Sequence, residues 1–570
     1  MASTTAMFTG LSGLIANARS LDVIGNNIAN VNTTAYKSSR LMFSTALSRT
    51  FSLGSEPTQE QGGTNPGQIG LGVSVAGTQR NFTGGTISPT GDPRDLAIEG
   101  EGFFIVGRGD QTLFTRAGAF RQNSLNELVT ISGERVKGFG VDEEFNIVPG
   151  RLVDLSIPIG TMTIAEATRN VRFTGNLNSG GDLATQGSVL TFGALALFGG
   201  APPDVNSLLV QVEDPAAPGN PLFAEGQTIE VRGVEKGSRL LPPASLAVTA
   251  ASTLQDLLDF LTEALGISTE AGANPDGRMP GATLDPATGV ITLVGNTGSI
   301  NDLDIDLSDI RVLDAAGNIV RQPLTPTKVA SADGESVRTT FVVFDSLGTP
   351  LDVDVTMVLE GRGDAGTTWR YYIESAEAAG VALAAATGVV QFDPFGQIAG
   401  AADAQVMIDR TGTGAVSPLA FTLSFASESD RVTALASSRS TLAATYQDGS
   451  PLGTLSAYAV GPDGTIVGAF DNGLMRTLGQ IAMAKFANPE GLVDEGANLF
   501  SVGPNSGPAV VTTAGELGTG RIVSGALELS NVELSQEFIN LILASTGYSA
   551  ASRVITTTDQ LFQQLLVLGR

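Results

Sequence analysis

Residues 530–568 read SNVELSQEFINLILASTGYSAASRVITTTDQLFQQLLVL. Ser530 and Glu533 stand in the S-x-x-E arrangement of a capping box, in which side chains satisfy backbone donors at a helix start. Leu534, Phe538, Leu541 and Ile542 follow at helical spacing. Val554, Leu561 and Leu568 then recur every seven residues, with Phe562 and Leu565 beside them. The pattern predicts a helix from 530 to 568, about 55 Å long at 1.5 Å per residue. Gly547 is the expected place for a bend or break.

The other end of the chain answers this one. From Phe8 to Val31, Phe8, Leu11, Ile15 and Ala18 form one helical row, and Leu14, Ala18, Leu21 and Ile28 an adjacent one. Gly10, Gly13 and Gly25 each weaken an isolated helix by up to about 1 kcal/mol, so this segment depends on packing partners. Long apolar stripes at both ends predict a coiled coil, within a subunit, between subunits, or both. An ordinary buried terminal helix is the plain alternative.

Between the ends the chain reads as β structure. Val353, Val355, Met357 and Leu359 alternate with Asp352, Asp354, Thr356 and Val358, as in a half-buried strand. Ser346–Pro350 reads as a turn joining this strand to Phe341–Asp345. The 70 Gly and 26 Pro punctuate many other short runs, which suits antiparallel sandwiches or barrels. One central helix is expected over Leu254–Leu265, with Leu254, Leu257, Leu258, Leu261 and Leu265 facing a core and Ser252 and Gln255 as its capping box. Residues near 54–72, 200–222 and 268–284 read as loops or linkers. At 570 residues the chain exceeds a single core, and several domains are expected.

The absences restrict chemistry. With no Cys and no His, thiolate nucleophiles, Cys-based metal sites, Ser-His-Asp triads and HExxH zinc sites are excluded. The 58 acidic against 32 basic residues give a charge of −26, which repels nucleic acid and anionic membrane surfaces and favours solubility. No apolar run reaches the roughly 18 residues of a membrane span. The first basic residue is Arg19, so no cleaved secretory signal is expected at the N-terminus.

Four motifs read more simply as structure than as sites. Gly361, Gly363 and Gly366 fit G-x-G-x-x-G, but a strand-like run follows instead of the helix that a pyrophosphate needs. Asp302, Asp304 and Asp306 alternate with apolar residues as on a solvated strand face, although such a row could attract Ca²⁺. Arg108-Gly109-Asp110 and Arg362-Gly363-Asp364 suit turns. No carboxylate cluster accompanies an aromatic sugar platform, Trp369 being the single Trp. No cofactor, metal or catalytic residue is expected.

Several stretches, taken in order, resemble the rod/hook family of bacterial flagellar axial proteins. Leu11–Arg40 (LSGLIANARSLDVIGNNIANVNTTAYKSSR) is similar to that family's N-terminal signature. Gly91–Val106 (GDPRDLAIEGEGFFIV) and Leu113–Val129 (LFTRAGAFRQNSLNELV) resemble the β-rich segment that follows. Gly525–Ile542 and Gly547–Leu566 resemble its C-terminal helix. The resemblance covers about 1–150 and 430–570. Distal rod members are similar at both ends but much shorter. Phe173–Ser179, Phe341–Glu360, Phe392–Gly396 and Ser427–Val432 resemble the outer β domain of the hook type. Hook-associated junction proteins share termini and length but usually lack the DLAIEGEGFF and TRAGAF stretches. Two departures stand out. Ala35 replaces a common Gly, which makes positive φ there unexpected. Ala544–Tyr548 lacks the usual Gln-Arg before the Tyr.

The resemblance implies a multi-domain protein: paired α-helical coiled-coil termini with antiparallel β-rich, sandwich- or barrel-like domains inserted between them. The expected division is 1–35 with 528–570 (helical), 36–90 (connecting), 91–150 with 440–527 (inner β), 151–182 with 331–439 (outer β), and 183–330 (an additional inserted domain). It further implies a non-enzymatic, extracellular structural subunit of a curved, tubular homopolymer, exported by the flagellar type III apparatus without a cleaved signal. Expected partners are further copies of the chain, the distal rod, hook cap and hook–filament junction proteins, with no nucleic acid and no membrane. The assembly interface would include Leu11, Leu14, Ala18, Leu21, Ile24, Asn26, Asn27, Ile28, Asn30, Leu534, Phe538, Leu541, Val554, Leu561, Phe562 and Leu565. A junction or distal rod role within the family, or a secreted surface-binding module using 183–330, are the competing readings.

Overall fold

The computed structural model describes residues 2–215, 217–400, 403–427, 431–436 and 439–568. Met1, residues 428–430 of the Ser427–Val432 stretch, and the side chains of Leu565 and Leu568 lie outside the described residues. The chain forms two compact units, Met1–Met162 with Thr454–Arg570, and Thr163–Gly453. Among the described residues there are three α-helices: α1 (Ala2–Ala29), α2 (Leu254–Ala264) and α3 (Leu534–Leu568). The rest is mostly antiparallel sheet.

The first unit joins the two ends of the chain. Strand Phe103–Arg108 pairs with Gln111–Thr115, with Arg135–Val141 and with Met483–Lys485. Leu96–Glu99 pairs with Arg521–Ser524 in a separate two-stranded sheet, so early and late segments meet there as well. Its core is aromatic: Phe103, Phe114, Phe486 and Phe500 are buried, and Phe114 meets Phe486 edge-on with centroids 4.8 Å apart, the arrangement the ring quadrupoles favour. Residues 36–90, expected as a connection, carry paired strands: Ser39–Thr45 with Val73–Arg80, and Ser48–Ser52 with Gly67–Gly70.

The second unit holds two cores. In the first, the sheet Ser336–Phe344, Pro350–Gly363, Gly366–Ser375 and Ala384–Phe392 packs on strands that include Asn170–Leu177, Leu419–Ser424 and Thr441–Gln447. Val353, Val355, Met357 and Leu359 all point into it, together with Trp369 and Phe173. The alternation predicts that the opposite face lies in water, yet Asp354, Thr356 and Val358 are buried as well. A second layer covers that face. Asn170–Leu177 also departs from an all-antiparallel sheet: it runs parallel to Leu419–Ser424, with Asn170 opposite Thr422, which the long intervening chain permits.

The other core draws on residues 190–324. Leu254, Leu257, Leu258, Leu261 and Leu265 are buried in it, as the stripe predicts. The cap of α2 is displaced by one residue from the expected Ser252/Gln255 pair. Thr253 Oγ1 accepts from the Asp256 amide, and Asp256 accepts from the Thr253 amide, because Asp reaches the N-cap amide as Glu or Gln would. Residues 200–222 are not a linker, since Leu209, Val212 and Leu222 are fully buried. Gly and Pro there break regular structure without removing apolar side chains from the core.

Three expectations for the ends are corrected. The Ser530/Glu533 capping box does not form, and α3 starts at Leu534. Asn531 holds the segment before the helix in place: its side chain donates to the carbonyls of Asn81 and Thr83 and accepts from the Ser38 amide. Gly547 does not break α3, which runs unbroken to Leu568. Ala35 does adopt positive φ, +55°. Its amide donates to the Glu528 carbonyl at 2.8 Å, and the surrounding hydrogen bonds hold a conformation that costs an alanine about 1–2 kcal/mol.

Candidate assembly interface

α1 and α3 pack against each other in antiparallel sense. Gly10 lies beside Ala551 and Ile555, Gly547 beside Asn17, and Asn27 beside Glu537. Glycine is what permits this approach. A Cβ at Gly547 would sit 2.8 Å from Asn17 Oδ1, and one at Gly10 would lie 3.1 Å from Ile555 Cγ1. The seam is made of small residues, with Ala16, Ala544 and Thr558 buried beside Ile24 and Asn27. Gly10, Gly13 and Gly547, which weaken each helix alone, therefore belong to the contact surface of the pair, whereas Gly25 faces open space.

A narrow seam leaves large apolar side chains outside it. Phe8 is 69% exposed, Phe538 52%, Ile542 61% and Leu543 65%. Leu11, Leu534, Val554 and Leu561 are exposed too, as is Asn26. Leu14, Ala18, Leu21, Ile28, Asn30, Leu541 and Phe562 are half-buried, and Ile24 and Asn27 are enclosed within the pair. The sequence-expected residues thus divide between an intramolecular seam and an open face. Ile539 and Leu543 also lie on that face but break the heptad count, so the spacing does not mark them. Charge is scarce: α1 carries only Arg19 and Asp22, and α3 only Glu537, Arg553 and Asp559.

The paired strands of residues 39–80 extend this face. Val73 donates its amide to Ser12 Oγ of α1 at 3.2 Å. A cleft of about 530 Å³ is lined by Thr5, Thr9, Phe51, Ile69, Leu71 and Val554. Leu47, Phe51, Leu53 and Ile69 are exposed on or beside these strands, within the 36–90 segment expected only as a connection.

Asparagines close α1. Asn27 Nδ2 donates to the Ser39 carbonyl at 2.8 Å and to Glu537 Oε1 at 3.1 Å, and its Oδ1 accepts from the Ser39 amide and the Tyr36 hydroxyl. A buried Asn with this many partners fixes the register between the two helices and the turn. Burial raises the Glu537 carboxyl, and the bond from Asn27 only partly offsets it.

Below the helices lies a buried ionic group. Lys37 Nζ donates to Glu528 Oε1 at 2.7 Å and to the Thr83 carbonyl at 2.8 Å, and Arg116 Nη1 stands 3.5 Å from Glu528 Oε2. All three side chains are enclosed. Burial pulls both cations below their ordinary pKa, with Glu528 opposing. This group ties residue 37, just after α1, to residue 528, just before α3. Among the described residues no set of three His, Cys, Asp or Glu side chains is placed to hold a metal, and no helix is long and apolar enough to cross a membrane.

Comparison with known proteins agrees with this layout. Models of the flagella basal body rod protein, the flagellar hook protein FlgE/F/G D1 domain, the flagellar basal body protein FlaE D2 domain and the flagellar basal body rod FlgEFG protein C-terminal match residues 7–37, 97–176, 312–450 and 523–568. The flagellar hook protein FlgE of Treponema pallidum is 28% identical over 577 residues, that of Borreliella burgdorferi 29% over 574, and that of Escherichia coli 27% over 568. Each alignment covers 99% of this chain and at least 99% of the relative. A crystal structure of Helicobacter pylori FlgE2 aligns over 77% of this chain and 100% of that one, at 18% identity and a TM-score of 0.39. With the four segments matched in order and the relatives aligned end to end, the chain is similar along its whole length to the bacterial flagellar hook proteins.

Proposed function

We propose that this chain is the structural subunit of a flagellar hook, polymerising into a curved tube that joins rod to filament and encloses the export channel. The observation that carries the reading is the apolar face left open on α1 and α3. Burying it between copies at about 25 cal/mol per Å² drives assembly more strongly than any surface ion pair. Head-to-tail packing with a rotation that does not close gives a helical tube. The protein is not an enzyme.

In this reading α1 and α3 form coiled-coil contacts within and between copies. Leu11, Leu534, Phe538, Val554 and Leu561 face neighbours, while Ile24 and Asn27 hold the pair. The proposed division has residues 1–35 and 528–570 lining the tube, 91–150 with 440–527 around them, and 151–182 with 331–439 and 183–330 outermost. The tube stands outside the cell. Its partners are further copies of the chain, the distal rod protein, the hook cap protein, the hook–filament junction protein and the flagellar type III export apparatus, which takes the chain without a cleaved signal peptide. Isolated helices with interior glycines are marginal, which suits passage through a narrow channel before assembly.

Electron microscopy tests the reading. Purified protein at high concentration is expected to form curved tubes, and cells lacking it to carry rods without hooks. Persistent monomers together with normal flagella in the deletion strain would overturn it.

A further inference from the structure

Asp354 and Glu374 stand directly opposite each other in the ladder between Pro350–Gly363 and Gly366–Ser375. Both are buried on the sheet face turned away from the Val353–Leu359 core. Two like charges opposed across an antiparallel pair repel, and burial without partners makes each far more costly. Their countercharges come from the body built on residues 187–330. Lys236 Nζ donates to Glu374 Oε1 at 2.5 Å and to the Gly266 carbonyl at 2.8 Å. Arg239 donates to Glu374 Oε2 at 2.5 Å and pairs with Asp354. Thr340 donates to Asp354, and Arg338 to the Lys236 carbonyl at 3.3 Å. The two carboxylates thus belong to the sheet, and the two cations facing them belong to the inserted body.

Other contacts close the same face. Leu383, from the loop after the Glu374 strand, is buried in the inserted body's own core, and its amide donates to the Glu263 carbonyl at 3.2 Å. Tyr372 and Thr297 share a hydroxyl hydrogen bond at 3.2 Å, and burial pushes the Tyr372 phenol up to about 12. The chain enters and leaves the inserted body side by side. A Cβ on Gly334 would lie 2.5 Å from Ala184 Cβ, and the Asp333 carboxylate accepts from the amides of Thr185 and Gln186.

We propose that Lys236 and Arg239 make the inserted body a fixed cover of the sheet, docked through this four-residue ionic cluster, so that the two move as one rigid piece and the sheet depends on its cover. A body tethered only by its neck would leave Asp354 and Glu374 without their direct ion-pair partners. The tests use monomeric chains, the decisive one at full length, so they succeed or fail independently of the polymer reading.

Lys236→Met is expected to lower the unfolding temperature of this unit and to speed protease cleavage at the neck, residues 181–187 and 331–335, by about tenfold, within the range for directly coupled residues. Adding Glu374→Gln should restore most of that loss, whereas independent, additive effects would overturn the proposal. A second pair of chains removes 186–331 and joins the adjacent ends, with and without Asp354→Asn and Glu374→Gln. The apolar surface uncovered is the same in both, so only the carboxylates differ. The neutralised chain should unfold at the higher temperature, and equal unfolding temperatures would overturn the proposal. Should neither deletion chain fold, the cycle in the full chain decides.

Discussion

The terminal helix pair and the inserted body treat apolar side chains in opposite ways. Phe8, Phe538, Ile542 and Leu543 lie in the open on α1 and α3, whereas Leu254, Leu257, Leu261 and Phe223 are enclosed in the inserted body. Geometry explains the contrast. Two helices brought together through Gly10, Gly547, Ala16 and Ala544 share a seam too narrow to cover large side chains. A helix laid on sheets, as α2 is, has a surface on each side. In the proposed reading the first region is completed by other copies, whereas the second completes itself.

The contrast breaks most sharply at Phe538. Phe538→Asp places a charge on the open face and is expected to abolish tube formation. The monomer's stability should change by no more than about 0.5 kcal/mol, as for exposed sites generally. Tubes seen by electron microscopy with this variant would mean that the face is not the interface.

Next in size is Glu528→Gln, which leaves Lys37 and Arg116 buried with no anion between them. Losing one partner of a buried group of this kind costs about 3–5 kcal/mol. Calorimetry should show the first unit's transition falling while that of Thr163–Gly453 stays in place. Leu257→Ala is the mirror experiment. It should destabilise the inserted body by about 2–5 kcal/mol and leave tubes intact, and loss of tubes would show that assembly needs this body.

Acid should separate the regions further. Burial acts to raise the Glu374 carboxyl, but Lys236 and Arg239 outweigh it, and its pKa is lowered. Its stabilisation is full above the ordinary carboxyl pKa of about 4.3 and is lost as pH falls through the lowered value. Glu537, whose pKa is raised, contributes with the opposite sign: as pH falls the folded helix pair takes up its proton first and gains stability. Cleavage at residues 181–187 during an acid titration should accelerate before the α1–α3 contact loosens. The smallest effect is expected at Ala35. Ala35→Gly removes the positive-φ cost and should stabilise the first unit by up to about 1 kcal/mol, measured by denaturant unfolding.

Much of this is legible in the chain itself. The leucine stripe of α2, the alternation from Val353 to Leu359 and the apolar rows at both ends follow from local periodicity. Helix 3.6-residue and strand 2-residue repeats need no knowledge of distant partners. The absence of His and Cys is enough on its own to exclude several classes of catalytic site.

What the sequence left open depended on residues far apart in the chain. Ala35 is held at positive φ by a carbonyl at 528, and the expected cap at Ser530 is displaced by bonds from Asn531 to residues 38, 81 and 83. Gly547 reads as a break, yet it is a contact, because Asn17 lies where a Cβ would be. Asp354 reads as a solvated residue until Arg239, 115 positions earlier, is brought against it. Periodicity reports which face of an element is apolar. Which surface then covers the polar face, or leaves an apolar one bare, is settled only when the long-range pairings are made.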